Sequence, residues 1–112
     1  MQKSQKLKHY LKCYENKDLE LISSMFSEDI TLRDWKISVS GYEKALAETR
    51  KNFKNAESLS ISILNVMEND HTVSAELKIV VNNEEVLYVV DVLTFNDEGL
   101  ISSIRAYLGR ED

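Results

Sequence analysis

Val73-Ser-Ala-Glu-Leu-Lys-Ile-Val-Val81 runs directly into Asn82-Asn83, and Val86-Leu-Tyr-Val-Val-Asp-Val-Leu-Thr-Phe95 follows two residues later. In the first run Val73, Ala75, Leu77, Ile79 and Val81 recur at every second position, the period of a strand with one buried face. Asn tolerates positive φ, so Asn82-Asn83 predicts a tight two-residue hairpin. The returning run from Val86 to Phe95 is apolar on both faces, which predicts that both are covered. One residue interrupts it: Asp91 shares a face with Leu87, Val89, Leu93 and Phe95.

Working outward, Asn96-Asp97-Glu98-Gly99 is a turn, and Leu100 to Leu108 is a last strand. Upstream, Leu59, Ile61 and Ile63 begin an earlier strand that ends at the Asn69-Asp70 turn. Before Leu59 the period changes. Leu7, Tyr10, Leu11 and Tyr14 stand at i, i+3, i+4 and i+7, one stripe of a helix from about Lys3 to Glu15. Asp18 is the expected cap of a second, short helix carrying Leu19, Ile22, Met25 and Phe26. A short strand at Ile30 to Leu32 follows, then a weakly alternating stretch to Val39. Ser40 and Glu43 have capping-box spacing, so a third helix is expected from there to about Lys54, with Tyr42, Ala45, Leu46, Thr49 and Phe53 on its stripe. Helices first and strands later is the α+β order. The expected form is three N-terminal helices packed on a strongly curved, mostly antiparallel sheet, a cone with an internal apolar pocket.

The totals agree with one domain over residues 1–112. A net charge of −5 argues against nucleic acid or an anionic membrane as the main partner. Cys13 is the only cysteine, so no intrachain disulfide can form. His9 and His71 are far apart and neither has a nearby set of ligands, so no metal and no cofactor are expected. The basic N-terminus lacks an apolar signal core, no run is long enough to span a membrane, and a cytoplasmic location is the expectation.

Asp91 is the residue out of place. A lone buried carboxylate is costly, so it pairs or takes a proton. One reading pairs it with Arg105 of the next strand or sets it at a bulge facing water. The other leaves it neutral, a hydrogen-bond donor in an apolar pocket. Asp34, by itself, reads as a solvated turn residue, and Tyr10 and Tyr14 read as core.

The stretch Tyr10-Leu-Lys-Cys-Tyr-Glu-Asn-Lys-Asp-Leu-Glu-Leu-Ile-Ser-Ser-Met-Phe-Ser-Glu-Asp-Ile-Thr-Leu-Arg-Asp34 resembles the N-terminal pattern of the ketosteroid isomerases. These belong to the SnoaL-like and nuclear-transport-factor-two-like superfamily. A second match runs from Val90-Asp91-Val92-Leu93-Thr94-Phe95 through Gly99-Leu100-Ile101 to Ile104-Arg105-Ala106-Tyr107-Leu108-Gly109. The resemblance implies catalytic roles for three residues. Tyr10 falls at the oxyanion-binding tyrosine, Asp34 at the proton-shuttling base and Asp91 at the protonated aspartic acid beside the tyrosine. It also implies a substrate pocket lined by Tyr14, Trp35, Leu93, Ile104, Ala106 and Leu108, an apolar carbonyl-containing ligand, and a homodimer through the sheet. Two departures stand out. Trp35 follows Asp34 where a proline is usual, in a loop to Gly41 that is shorter, and it could narrow the pocket. Phe26 and Thr49 occupy places where some isomerases carry supporting tyrosines. Two other readings stay open: a non-catalytic binding module of the same fold, and a SnoaL-like cyclase or dehydratase. The latter would need a further polar group such as a cavity histidine, and His9, adjacent to Tyr10 on the helix, points to a different face.

Overall fold

The hairpin places the longest strands side by side. In the computed structural model, which describes residues 2–110, β4 (Thr72–Val81) and β5 (Glu85–Phe95) pair antiparallel along their whole length, with Ala75 opposite Asp91 and Leu77 opposite Val89. Asn82 and Asn83 take φ of 54° and 60°, the sign a primed hairpin turn demands. The turn closes by the Glu84 N–H donating to the Val81 carbonyl at 3.1 Å, but Val81 then faces Glu85. Glu84 is therefore a third loop residue, where two were expected.

β3 (Leu59–Glu68) adds to β4, and β6 (Ile101–Leu108) adds to β5, both antiparallel. The sheet continues past β6 through β1 (Phe26–Arg33), which runs parallel to it, and ends at β2 (Ser38–Ser40). Register shifts interrupt three ladders, at Ile63/Asn65 in β3, at Phe26/Thr31 in β1 and at Thr94/Phe95 in β5. Extra residues in a ladder bend a strand and deepen its twist, and the sheet curves into a cone.

Three helices close its inner face: α1 (Lys3–Glu15), α2 (Leu19–Met25) and α3 (Tyr42–Asn55). The stripe of α1 buries Leu7, Tyr10 and Leu11. Asp18 caps α2 by accepting from the Leu21 N–H at 3.1 Å. Leu7, Ile22, Ile30, Leu77 and Leu93 form the fully buried centre.

Three expectations are corrected. Phe26 opens β1 instead of ending α2, because the parallel ladder gives it a partner in Ile101. Ser40 does not cap α3, since it pairs with Thr31 in β2. Gly41 is the N-cap, at a φ of 102°, with no side-chain capping bond; its own N–H is held by the Ile30 carbonyl at 2.7 Å. The two faces of β5 are not both covered within the chain: the inner residues join the core, while outward Val86 is exposed and Tyr88, Val90 and Val92 are half-exposed. Among the described residues no helix is long and apolar enough to cross a membrane.

Candidate active site

A cavity of about 380 Å³ lies between the inner face of the sheet and helices α1 and α3, within the usual size of small-molecule pockets. Its location follows from side-chain volume. Asp91 is flanked in register by Ala75 on β4 and Ala106 on β6. Ala106 lines the cavity, and its methyl-sized side chain leaves open space beside the carboxyl group where a larger residue would fill it, whereas Ala75 is buried in the core. Leu32, Ile61, Ile79, Leu87, Val89 and Ile104 supply the apolar walls.

Tyr10 reaches the cavity from the buried stripe of α1 and is only 4% exposed. Its ring is set between Tyr14 (centroids 6.0 Å apart) and Phe26 (6.4 Å). Phe26 carries no hydroxyl, and among the described residues nothing hydrogen-bonds to the Tyr10 oxygen. No fully buried side-chain polar atom of the described residues lacks a partner, so that oxygen keeps surface open to the cavity. Burial pushes the Tyr10 hydroxyl well above its ordinary pKa of 10, and Tyr14 and Asp91 nearby add to the effect. Tyr10 is therefore a committed donor at any ordinary pH.

Asp91 faces the same space from β5. Burial first, and then the charge of Asp34, push its carboxyl from 3.8 up to about 7. The pairing with Arg105 does not occur. Arg105 stands opposite Val92, on the other face of the sheet, and its guanidinium binds Ser103 Oγ at 2.6 Å and Thr94 Oγ1 at 3.4 Å. Without a cation beside it, burial governs the group, and the neutral form prevails below neutrality.

Asp34 directly follows β1, in the loop toward β2. Its Oδ1 accepts the N–H groups of Lys36 (2.7 Å) and Ile37 (2.9 Å), and its own N–H donates to the Ile37 carbonyl at 3.0 Å. This Asx-type turn locks the side chain. Among the described residues Oδ2 has no partner and Asp34 has no ion pair with Arg33 or Lys36. The turn reading and the cavity reading of Asp34 thus both hold: one oxygen shapes the loop and the residue lines the cavity.

Of the other expected lining residues, Tyr14, Trp35, Ile104 and Ala106 do line the cavity. Leu93 and Leu108 do not. Leu93 lies one step past Asp91 in the solid core and is fully buried, whereas Leu108 closes β6 at its outer end and is 46% exposed. Trp35 stands at the rim, 42% exposed, and leaves the cavity open. Thr49 lines it too, with its hydroxyl donated back to the Ala45 carbonyl at 2.9 Å. Asn52 and Asn55 of α3 were not foreseen. Asn52 follows Thr49 by three residues, so the flank of the helix stripe was the signal available for it.

A curved sheet that holds two carboxyl groups and a free phenol in an apolar hollow, roofed by helices, defines a class of small α+β pocket proteins. A family model of the SnoaL-like domain matches residues 7–104, and the chain belongs to that family. No curated protein sequence matches it. Among solved structures it is similar to an NTF2-like protein of unknown function from Cytophaga hutchinsonii, at 13% identity and a TM-score of 0.77 over 92% of this chain and 86% of that one. It is also similar to a candidate ketosteroid isomerase from Kribbella flavida (13%, TM-score 0.81, 95% and 76%). A third likeness is to an LEH-like epoxide hydrolase from M. tuberculosis (15%, TM-score 0.77, 92% and 79%). At these identities the likeness is one of fold.

Proposed function

We propose that this protein is an isomerase that shifts a carbon–carbon double bond next to a carbonyl, by moving a proton within the substrate, as steroid delta-isomerases do. The observation that carries the reading is a proton-retaining carboxyl, Asp91, that lines one apolar cavity with the unpartnered Tyr10 hydroxyl and a loop-locked carboxylate, Asp34. A proton next to a carbonyl leaves only if the enolate is stabilised as it forms. Tyr10 and neutral Asp91 donate hydrogen bonds to the developing oxyanion. Asp34 Oδ2 takes the proton and returns it to the far end of the allylic system, so the carboxylate is regenerated. The apolar walls lower the local dielectric around a bound ligand, which strengthens each of these bonds. No cofactor enters the scheme.

The test offers a β,γ-unsaturated cyclic ketone and a β,γ-unsaturated steroid ketone to the purified protein. Conversion to the conjugated enone is followed by ultraviolet absorbance. Saturable conversion of either substrate is expected. Binding without conversion would replace the isomerase with a ligand-binding module of the same fold.

The proposal includes a homodimer through the outer sheet face. What supports it is the apolar surface there: Val86 and Tyr107 are exposed, and Val90 and Val92 half-exposed, with none of the helices of the described residues over them. Light scattering should give twice the chain mass, falling to one chain mass in Tyr107→Glu. A parent at one chain mass removes the dimer.

A further inference from the structure

Tyr14 is a second phenol on the wall of the cavity, one helical turn from Tyr10 and closer to the mouth, and the scheme above leaves it without a task. Its oxygen accepts a hydrogen bond from Asn52 Nδ2 at 3.1 Å. Its ring is fixed edge-on against Phe53, with centroids 4.9 Å apart. Burial holds its hydroxyl above the ordinary pKa of 10, against the opposing effect of the Asn52 bond. Among the described residues nothing accepts the Tyr14 proton. Asn52 is exposed at the rim and lines the cavity beside it. Both residues line the cavity, and the pair keeps an unused O–H and a second amide N–H at its rim. Turning the amide over would make Tyr14 the donor to Oδ1 and leave both N–H groups of Asn52 free, so the pair keeps a free donor in either arrangement.

We infer that Tyr14 and Asn52 form a subsite for a second oxygen of the ligand, so that the preferred substrate is a cyclic carbonyl compound with a hydroxyl or carbonyl across the ring system from the reacting one. The inference deepens the isomerase reading and rests on it for which oxygen reacts. The geometry sets the spacing. Residues i and i+4 are separated by about 6 Å along a helix, so the two phenols serve oxygens about one ring apart. Tyr10, nearly sealed, takes the inner oxygen. Tyr14, half-exposed, takes the outer one. The apolar walls of Leu32, Ile61, Ile79, Leu87, Val89 and Ile104 offer the ring body contact.

Two probes test this by fluorescence titration: phenol, with one hydroxyl, and benzene-1,4-diol, whose two oxygens lie one ring apart. The parent should bind the dihydroxylated probe up to about tenfold more tightly, the upper range for one added hydrogen bond. In Asn52→Leu and in Tyr14→Phe that ratio should fall to near one. Asn52→Asp, whose carboxylate would accept the Tyr14 proton, should lower it as well. Circular dichroism and melting of Asn52→Leu, a change at an exposed position, separate loss of the subsite from loss of the fold. Equal binding of both probes by the parent, binding of neither, or a ratio that survives all three substitutions overturns the subsite. Turnover separates the two levels. Enone formation without any preference for a second oxygen defeats the subsite and keeps the isomerase. A preference in binding with no enone formation does the reverse.

Discussion

Asp34→Asn should lower kcat for enone formation by about three to four orders of magnitude, the upper range for loss of a positioned general base. The substitution is well matched to the local structure. Asn keeps an oxygen at Oδ1, so it can still accept the N–H groups of Lys36 and Ile37 that shape the loop. Only Oδ2, the oxygen without a protein partner, changes into a group that cannot take a proton. Melting behaviour should therefore stay close to that of the parent while turnover collapses. The charge of Asp34 also helps to raise the Asp91 carboxyl, so in Asp34→Asn the Asp91 titration should move to lower pH. Parent-like turnover in this variant, measured by ultraviolet absorbance, would end the proton-shuttle assignment.

The second large effect belongs to Asp91. A carboxyl raised from 3.8 to about 7 binds its proton more tightly in the folded chain than in the unfolded one. The stability it contributes is complete below pH 3.8 and is lost as the pH rises through 7. Asp91→Asn has no such proton. Relative to this variant, the parent should lose stability between pH 4 and 7 and run parallel to it above. At about 1.4 kcal/mol per pKa unit the loss is at most about 4 kcal/mol, with solvent reaching the cavity reducing it. Chemical denaturation of both proteins across that range measures it, and parallel curves throughout would disprove it. Activity follows the same proton. In the parent, kcat/KM should fall about tenfold per pH unit above 7 as the donor of the free enzyme ionises. Asn donates at every pH, so the variant should lack that limb.

Local pattern reveals some of this molecule and hides the rest for definite reasons. The stripe from Leu7 to Tyr14 marks α1, and the cap at Asp18 and the positive-φ pair at Asn82-Asn83 stand in the chain as written. Each is settled by neighbours a few residues away. Phe26 and Ser40 were misjudged because their partners, Ile101 and Thr31, lie elsewhere in the sheet. The parallel ladder between β1 and β6 has no local signature at all. In the site, alternation along β5 indicates which face Asp91 occupies but not how deep each position lies. Hence Leu93, on the same face, belongs to the core and not to the cavity. The absence of an Arg105 partner for Asp91 follows from register, since Arg105 meets Val92 across the ladder. A small neighbour matters in the same way. Ala106 makes room for the cavity only because the β5–β6 ladder brings it beside Asp91.

The parallel ladder also sets an order of assembly. Leu32, with Asp34 two residues beyond it, is joined to Ile104 through that ladder, so one wall of the cavity is stitched from distant parts of the chain. During synthesis on the ribosome, α1 and β1 emerge long before β6 exists. They wait with apolar surface uncovered until the last strand docks. Closing so long a loop is the slow kind of step in folding. The pocket is thus complete only once β6 has docked, and until then the apolar faces of α1 and β1 lack part of their cover.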